Sequence, residues 1–161
     1  MNLLPSAIVA ALRANDDAHR RGRTDLDAAP APDPAPVVKL FNPLSAAMWL
    51  ATELDEDGDT LFGLADLGFG CPELGYFSLS EIAALRLPFG LRIERDLAFA
   101  SVCPLSVWAD TARRAGSILM AQVLLRPVEA SFRARRASPR STGDPAAPDP
   151  DPLPPSPGED G

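Results

Sequence analysis

Lysine, histidine and cysteine are nearly missing from this sequence of 161 residues. It holds one lysine (Lys39), one histidine (His19) and two cysteines, Cys71 and Cys103. A single imidazole excludes a His-rich metal site or a relay of several histidines within the chain. Two cysteines are too few for a disulfide framework, which points to a reducing, cytoplasmic setting. No apolar run approaches the roughly 20 residues of a membrane span, so no membrane partner is expected. The start, Met1-Asn2-Leu3-Leu4-Pro5, lacks the basic region and long apolar core of a signal peptide. Aromatics are scarce at 6%, but apolar residues reach 46% against 23% charged, enough for the packed core of one domain.

Proline is present in excess, and 11 of the 18 fall in two segments. Residues 27–36 read DAAPAPDPAP, a spacer without the backbone donors that helix or sheet needs. Residues 141–161 hold seven prolines, five acids and one large apolar residue, Leu153, so the reading is a disordered acidic tail. The division that follows is an N-terminal helix with a basic end over 1–26, the spacer over 27–36 and a domain over 37–116. An apolar segment leading into an Arg-rich arm occupies 117–140, and the tail follows.

Charge is unevenly spread. Residues 40–85 contain eight acids and no base, whereas residues 86–140 carry ten arginines against four acids. The overall net charge of −7 hides this separation.

Leu4, Ile8, Ala11 and Leu12 recur at helical spacing and fade into polar residues 19–23. Residues 37–41 read as a strand, and runs 48–54 and 61–67 flank an acidic turn as a hairpin. Residues 74–77 form a strand running into a helix opened by Ser78, with Glu81 at capping-box spacing. Residues 92–99 alternate as a strand. Pro104 opens a helix with Leu105, Trp108, Ala109 and Ala112 on one face, stopped by Gly116. The run 118–125 fits helix or strand equally. The fold class expected is α+β, with a small, largely antiparallel sheet and two or three packed helices.

The runs VVKLFNPLSAAMWLATELD, LFGLADLGFGCPELGYFSLSEIAALR, FGLRIERDLAF and PLSVWADTARRAG together resemble the bacterial domain-of-unknown-function family 2958. The resemblance is close over residues 37–116 and looser over the first helix. It implies an accessory role on plasmids and conjugative elements, and it supplies no catalytic residues. The segment after Gly116 and the proline spacer depart from the family pattern.

Several groups are candidates for chemistry. Glu53, Asp66 and Glu73 are carboxylates that would suit a divalent-metal hydrolase if they converge. Ion pairs to Arg92 or Arg95 are the simpler expectation. Asp55, Asp57 and Asp59 alternate as calcium ligands can, but Gly58 between them favours a solvated turn. His19 has no evident Asp or Ser partner, Cys71 lies in a loop, and Trp49 and Trp108 read as core. The strongest candidate is arginine. Arg126, Arg133, Arg135, Arg136 and Arg140 form an extended basic arm that would bind nucleic acid through phosphates, helped by Arg20, Arg21 and Arg23. The function expected is a non-enzymatic, nucleic-acid-associated module with no cofactor. The alternatives are an acidic surface that docks a basic protein or mimics DNA, and the metal hydrolase.

Overall fold

Two central strands carry buried side chains on both faces, so the sheet they form has to be covered on both sides. The computed structural model describes residues 2–24 and 30–137. The acidic tail over 141–161, and Arg140, lie outside the described residues. Strands β1 (Val38–Phe41), β2 (Met48–Leu54), β3 (Thr60–Asp66), β4 (Glu73–Ser78) and β5 (Glu94–Arg95) form one sheet in the order β4-β3-β2-β1-β5. Every pairing is antiparallel. Among the described residues there are four helices: α1 (Ser6–Thr24), α2 (Leu79–Ala84), α3 (Leu105–Ala115) and α4 (Ile118–Ala137). The α+β class stands, with more helix than expected.

Alternation along the strands splits the core in two. Val38, Leu40, Trp49, Ala51, Leu54 and Leu61 meet Leu4, Leu12 and Ile82 on the face that α1 and α2 cover. Leu50 and Leu64 point the other way, onto Trp108 and Ala112 of α3 and Ile118, Ala121 and Leu125 of α4. The folded unit therefore runs well past both ends of 37–116. Residues of the proline segment join it as well. Asp33 accepts from Ser106 through backbone and hydroxyl, and Pro34 accepts from the Leu105 amide, so the segment satisfies the first donors of α3.

Two expectations are corrected. The strand over 92–99 shrinks to Glu94–Arg95, because Asp96 turns to pair with Lys39 and the chain bends back through a Phe99-to-Asp96 backbone bond. The basic segment is also not an extended arm. Arg126, Arg133, Arg135 and Arg136 ride on α4, which continues through Pro127 to Ala137. Burial of Ile118, Ala121, Leu125 and Glu129 at helical spacing holds that helix against the sheet.

The cap of α2 is half as expected. Ser78 accepts from the Glu81 amide at 3.1 Å. The reciprocal part comes from Asp59, which accepts from the Ser78 hydroxyl and the Ser80 amide at 2.6 and 2.7 Å.

Candidate functional site

The β2–β3 pairing slips by one residue between Ala51 and Glu53. Ala51 and Leu54 consequently face the same core although three residues apart, and Glu53 pairs with Phe62. Gly63 lies opposite the slip. A Cβ there would sit 1.8 Å from the Leu50 carbonyl oxygen, so the two strands approach this closely only at glycine.

This bulge decides the fate of the three carboxylates. Glu53 is opposite Phe62, while Asp66 is opposite Met48 at the far end of the same ladder. Four residues of strand, about 13 Å, separate their rows. Glu73 is exposed on β4. No group of three His, Cys, Asp or Glu residues suited to a metal occurs among the described residues. Nor do Arg92 and Arg95 pair with these acids; Arg92 donates to the Ala83 carbonyl. Asp66, only 1% exposed, accepts from the amides of Gly68 and Ile118 at 2.8 and 2.9 Å. It thus places a carboxylate on the first N–H of α4, where the helix dipole favours negative charge. The metal-hydrolase arrangement is not formed.

The acids of the hairpin are similarly committed. Asp57 accepts from Asp59 and from both groups of Thr60, which closes the turn around left-handed Gly58. Bonds from Thr60 hold the Asp57 carboxyl below its ordinary value, and the Ser78 hydroxyl does the same for Asp59. Asp55 pairs with Arg20. These acids stabilise turns and caps.

Helix α1 and the sheet create a site that sequence reasoning missed. β1 pairs with β2 only as far as Ala51, leaving the end of β2 with an open edge. Asn15 closes it by donating its side-chain amide to the Thr52 carbonyl at 2.8 Å. One turn later, Nδ1 of His19 lies 3.0 Å from Oε1 of Glu53. Glu53 is 6% exposed, so the carboxylate fixes the orientation of an imidazole that still reaches solvent. Arg20, next in sequence, bridges Asp16, Asp55 and Glu56, the first at 2.8 Å and the last at 3.1 Å. Asp16, His19, Arg20, Glu53 and Asp55 line a cavity of about 270 Å³ whose other wall is Phe62 and Tyr76. Leu4, Ile8, Leu12, Asn15 and His19 continue one helical stripe, and its change from apolar to polar was the available signal.

The predicted arginines gather at the opposite end of the chain. Arg126 and Arg133, seven residues apart on α4, line a second cavity of about 250 Å³ with Phe99 and Trp108. Arg133 donates to the Ala100 carbonyl and stands 4.0 Å from Glu129. Arg135 and Arg136 are exposed in the last turn. Glu129, the one acid of α4, turns inward. It accepts from Ser101 and from the amides of Val102 and Cys103. Burial alone would raise this carboxyl, but the donated bonds outweigh it and leave it below its ordinary value. Burial, reinforced by the Glu129 charge, pushes the Cys103 thiol up to about 11, so it is an inert packing group. Lys39, buried on β1, reaches Asp96 at 2.9 Å and Gln122 of α4 at 2.7 Å.

Fold and sites together define a five-stranded antiparallel α+β domain with a polar cavity beside α1 and a basic helix end on α4. A family model described as "Protein of unknown function (DUF2958)" matches residues 3–119, and the chain belongs to that family. No curated protein and no solved structure matches it. Among the described residues, no helix is long and apolar enough to cross a membrane.

Proposed function

We propose that this protein is a non-enzymatic, nucleic-acid-associated accessory module of a bacterial mobile element, working in the cytoplasm. Its contact surface is the C-terminal half of α4, where Arg126, Arg133, Arg135 and Arg136 engage phosphates. One observation carries the reading: the only acid of α4, Glu129, is bound inward to residues 101–103, so most of the positive charge at this helix end has no acidic partner among the described residues. Guanidinium forks suit phosphate oxygens, and contacts of this kind are insensitive to base sequence. The competing idea of an acidic docking or DNA-mimic surface draws less support, because Glu53, Asp55, Asp57, Asp59 and Asp66 are engaged by His19, Arg20, hydroxyls and backbone amides.

The test is fluorescence anisotropy of labelled single- and double-stranded DNA with the full chain across a salt series. The wild type should bind at low salt, and affinity should fall linearly on a log–log plot. Replacing Arg126, Arg133, Arg135 and Arg136 by alanine should abolish binding. Equal binding by that variant would refute the assignment. Substitution is a sharper tool than truncation within α4, which would also remove Glu129 from residues 101–103.

A further inference from the structure

The cavity beside α1 holds the only histidine and the only tyrosine of the chain. Its two walls offer different chemistry. On one wall, Tyr76 stands on the edge strand β4 with 71% of its surface exposed. Its ring lies 5.0 Å from that of Phe62, centroid to centroid, at an interplanar angle of 53°. A tilted neighbour of this kind fixes the tyrosine ring without covering it, leaving a face for stacking. On the other wall, Glu53 occupies Nδ1 of His19. That leaves Nε2 as the imidazole nitrogen available for a ligand.

The charges of the cavity are also unequal. Arg20 is outnumbered by the three carboxylates it pairs with, of which Asp16 and Asp55 line the cavity beside Glu53. Arg23, one turn on and exposed, makes no ion pair or hydrogen bond among the described residues. It is the lining cation left for an anion. A volume of about 270 Å³ suits one base with its sugar and is far too small for a duplex.

We propose that this cavity binds a single nucleoside monophosphate. The base stacks on Tyr76 beside Phe62, Nε2 of His19 meets the polar edge of the base, and Arg23 meets the phosphate. The site is separate from the arginines of α4 and does not rest on their assignment.

Because each reporter is unique in the chain, the His19 imidazole and Tyr76 ring proton signals can be followed by NMR in the full-length protein. Adenosine 5′-monophosphate should move both saturably, with a Kd between about 10 μM and 1 mM for a site this small and open. Tyr76→Ala should weaken binding about tenfold or more, the usual loss of a stacking platform, while Tyr76→Phe should retain it. Arg23→Ala should weaken the nucleotide but leave adenosine unchanged, and Arg135→Ala with Arg136→Ala should leave both unchanged. A trinucleotide titrated alongside separates the two sources of this chemistry: tighter binding than the monophosphate assigns the site to a strand, equal or weaker binding to the free nucleotide. The proposal is overturned if neither reporter shifts. It is equally overturned if ribose 5-phosphate binds as well as the nucleotide, or if a folded Tyr76→Ala protein keeps full affinity.

Discussion

Helices α1 and α4 are nearly equal in length, 19 and 20 residues, and both end in arginines. Their arginines meet different fates. At the end of α1, Arg20 enters a network of Asp16, Asp55 and Glu56. On α4, the one acid of the helix itself, Glu129, has been drawn inward by residues 101–103. A basic run in a sequence is therefore not yet a binding surface, because what the surrounding acids already bond to decides how much charge is left for a partner. The helices are also tethered differently. α1 is stitched to an open strand edge through Asn15 and His19, whereas α4 is clamped by Asp66 at its start and Glu129 in its middle.

The largest expected effect lies in the α4 clamp. Glu129→Ala strips the acceptor from the amides of Val102 and Cys103 and should cost about 2–3 kcal/mol in urea unfolding. Asp66→Ala removes the carboxylate from the first amide of α4 and should cost about 1–2 kcal/mol. On the α1 side, Asn15→Ala loses one edge bond, worth about 1 kcal/mol. If Asn15→Ala proved costlier than Glu129→Ala, the contrast between a clamped and a stitched helix would fail.

Acidity sharpens the same comparison. Glu129 and Asp96 are both held below their ordinary values. Burial opposes this in each case, but it is outweighed by donors from residues 101–103 for Glu129 and by Lys39 for Asp96. Their folded values lie below the unfolded ones. The stability they contribute is therefore complete above about pH 4.5 and is lost as pH falls through the folded values. Unfolding midpoints of Glu129→Gln should fall less steeply below that pH than those of the wild type. The smallest effect belongs to Arg20→Ala, whose exposed ion pairs should leave the unfolding midpoint unchanged in moderate salt.

Local pattern made much of this fold legible. Leu105, Trp108, Ala109 and Ala112 announce the buried face of α3, and Gly116 adopts the left-handed conformation that ends it. α4 was harder to read for a physical reason. Leu119, Met120, Val123 and Leu124 are apolar yet exposed, so no single stripe stands out, and Pro127 looks like a stop. The pairing of His19 with Glu53 spans 34 residues and depends on a bulge, which no local spacing encodes. The Arg-rich segment was legible as charge but not as helix, because what holds it helical is burial of residues up to two turns earlier.

The central claim is that the arginine charge available to DNA resides on α4, and not in the Arg20 network of α1. Salt-dependent DNA anisotropy of two paired variants in the full chain tests it most directly, Arg135→Ala with Arg136→Ala against Arg20→Ala with Arg21→Ala. The α4 pair should lose affinity and flatten the log–log salt slope by about 0.9 for each duplex phosphate contact removed, while the α1 pair matches the wild type. An equal loss in both pairs, or a loss confined to the α1 pair, would contradict the account.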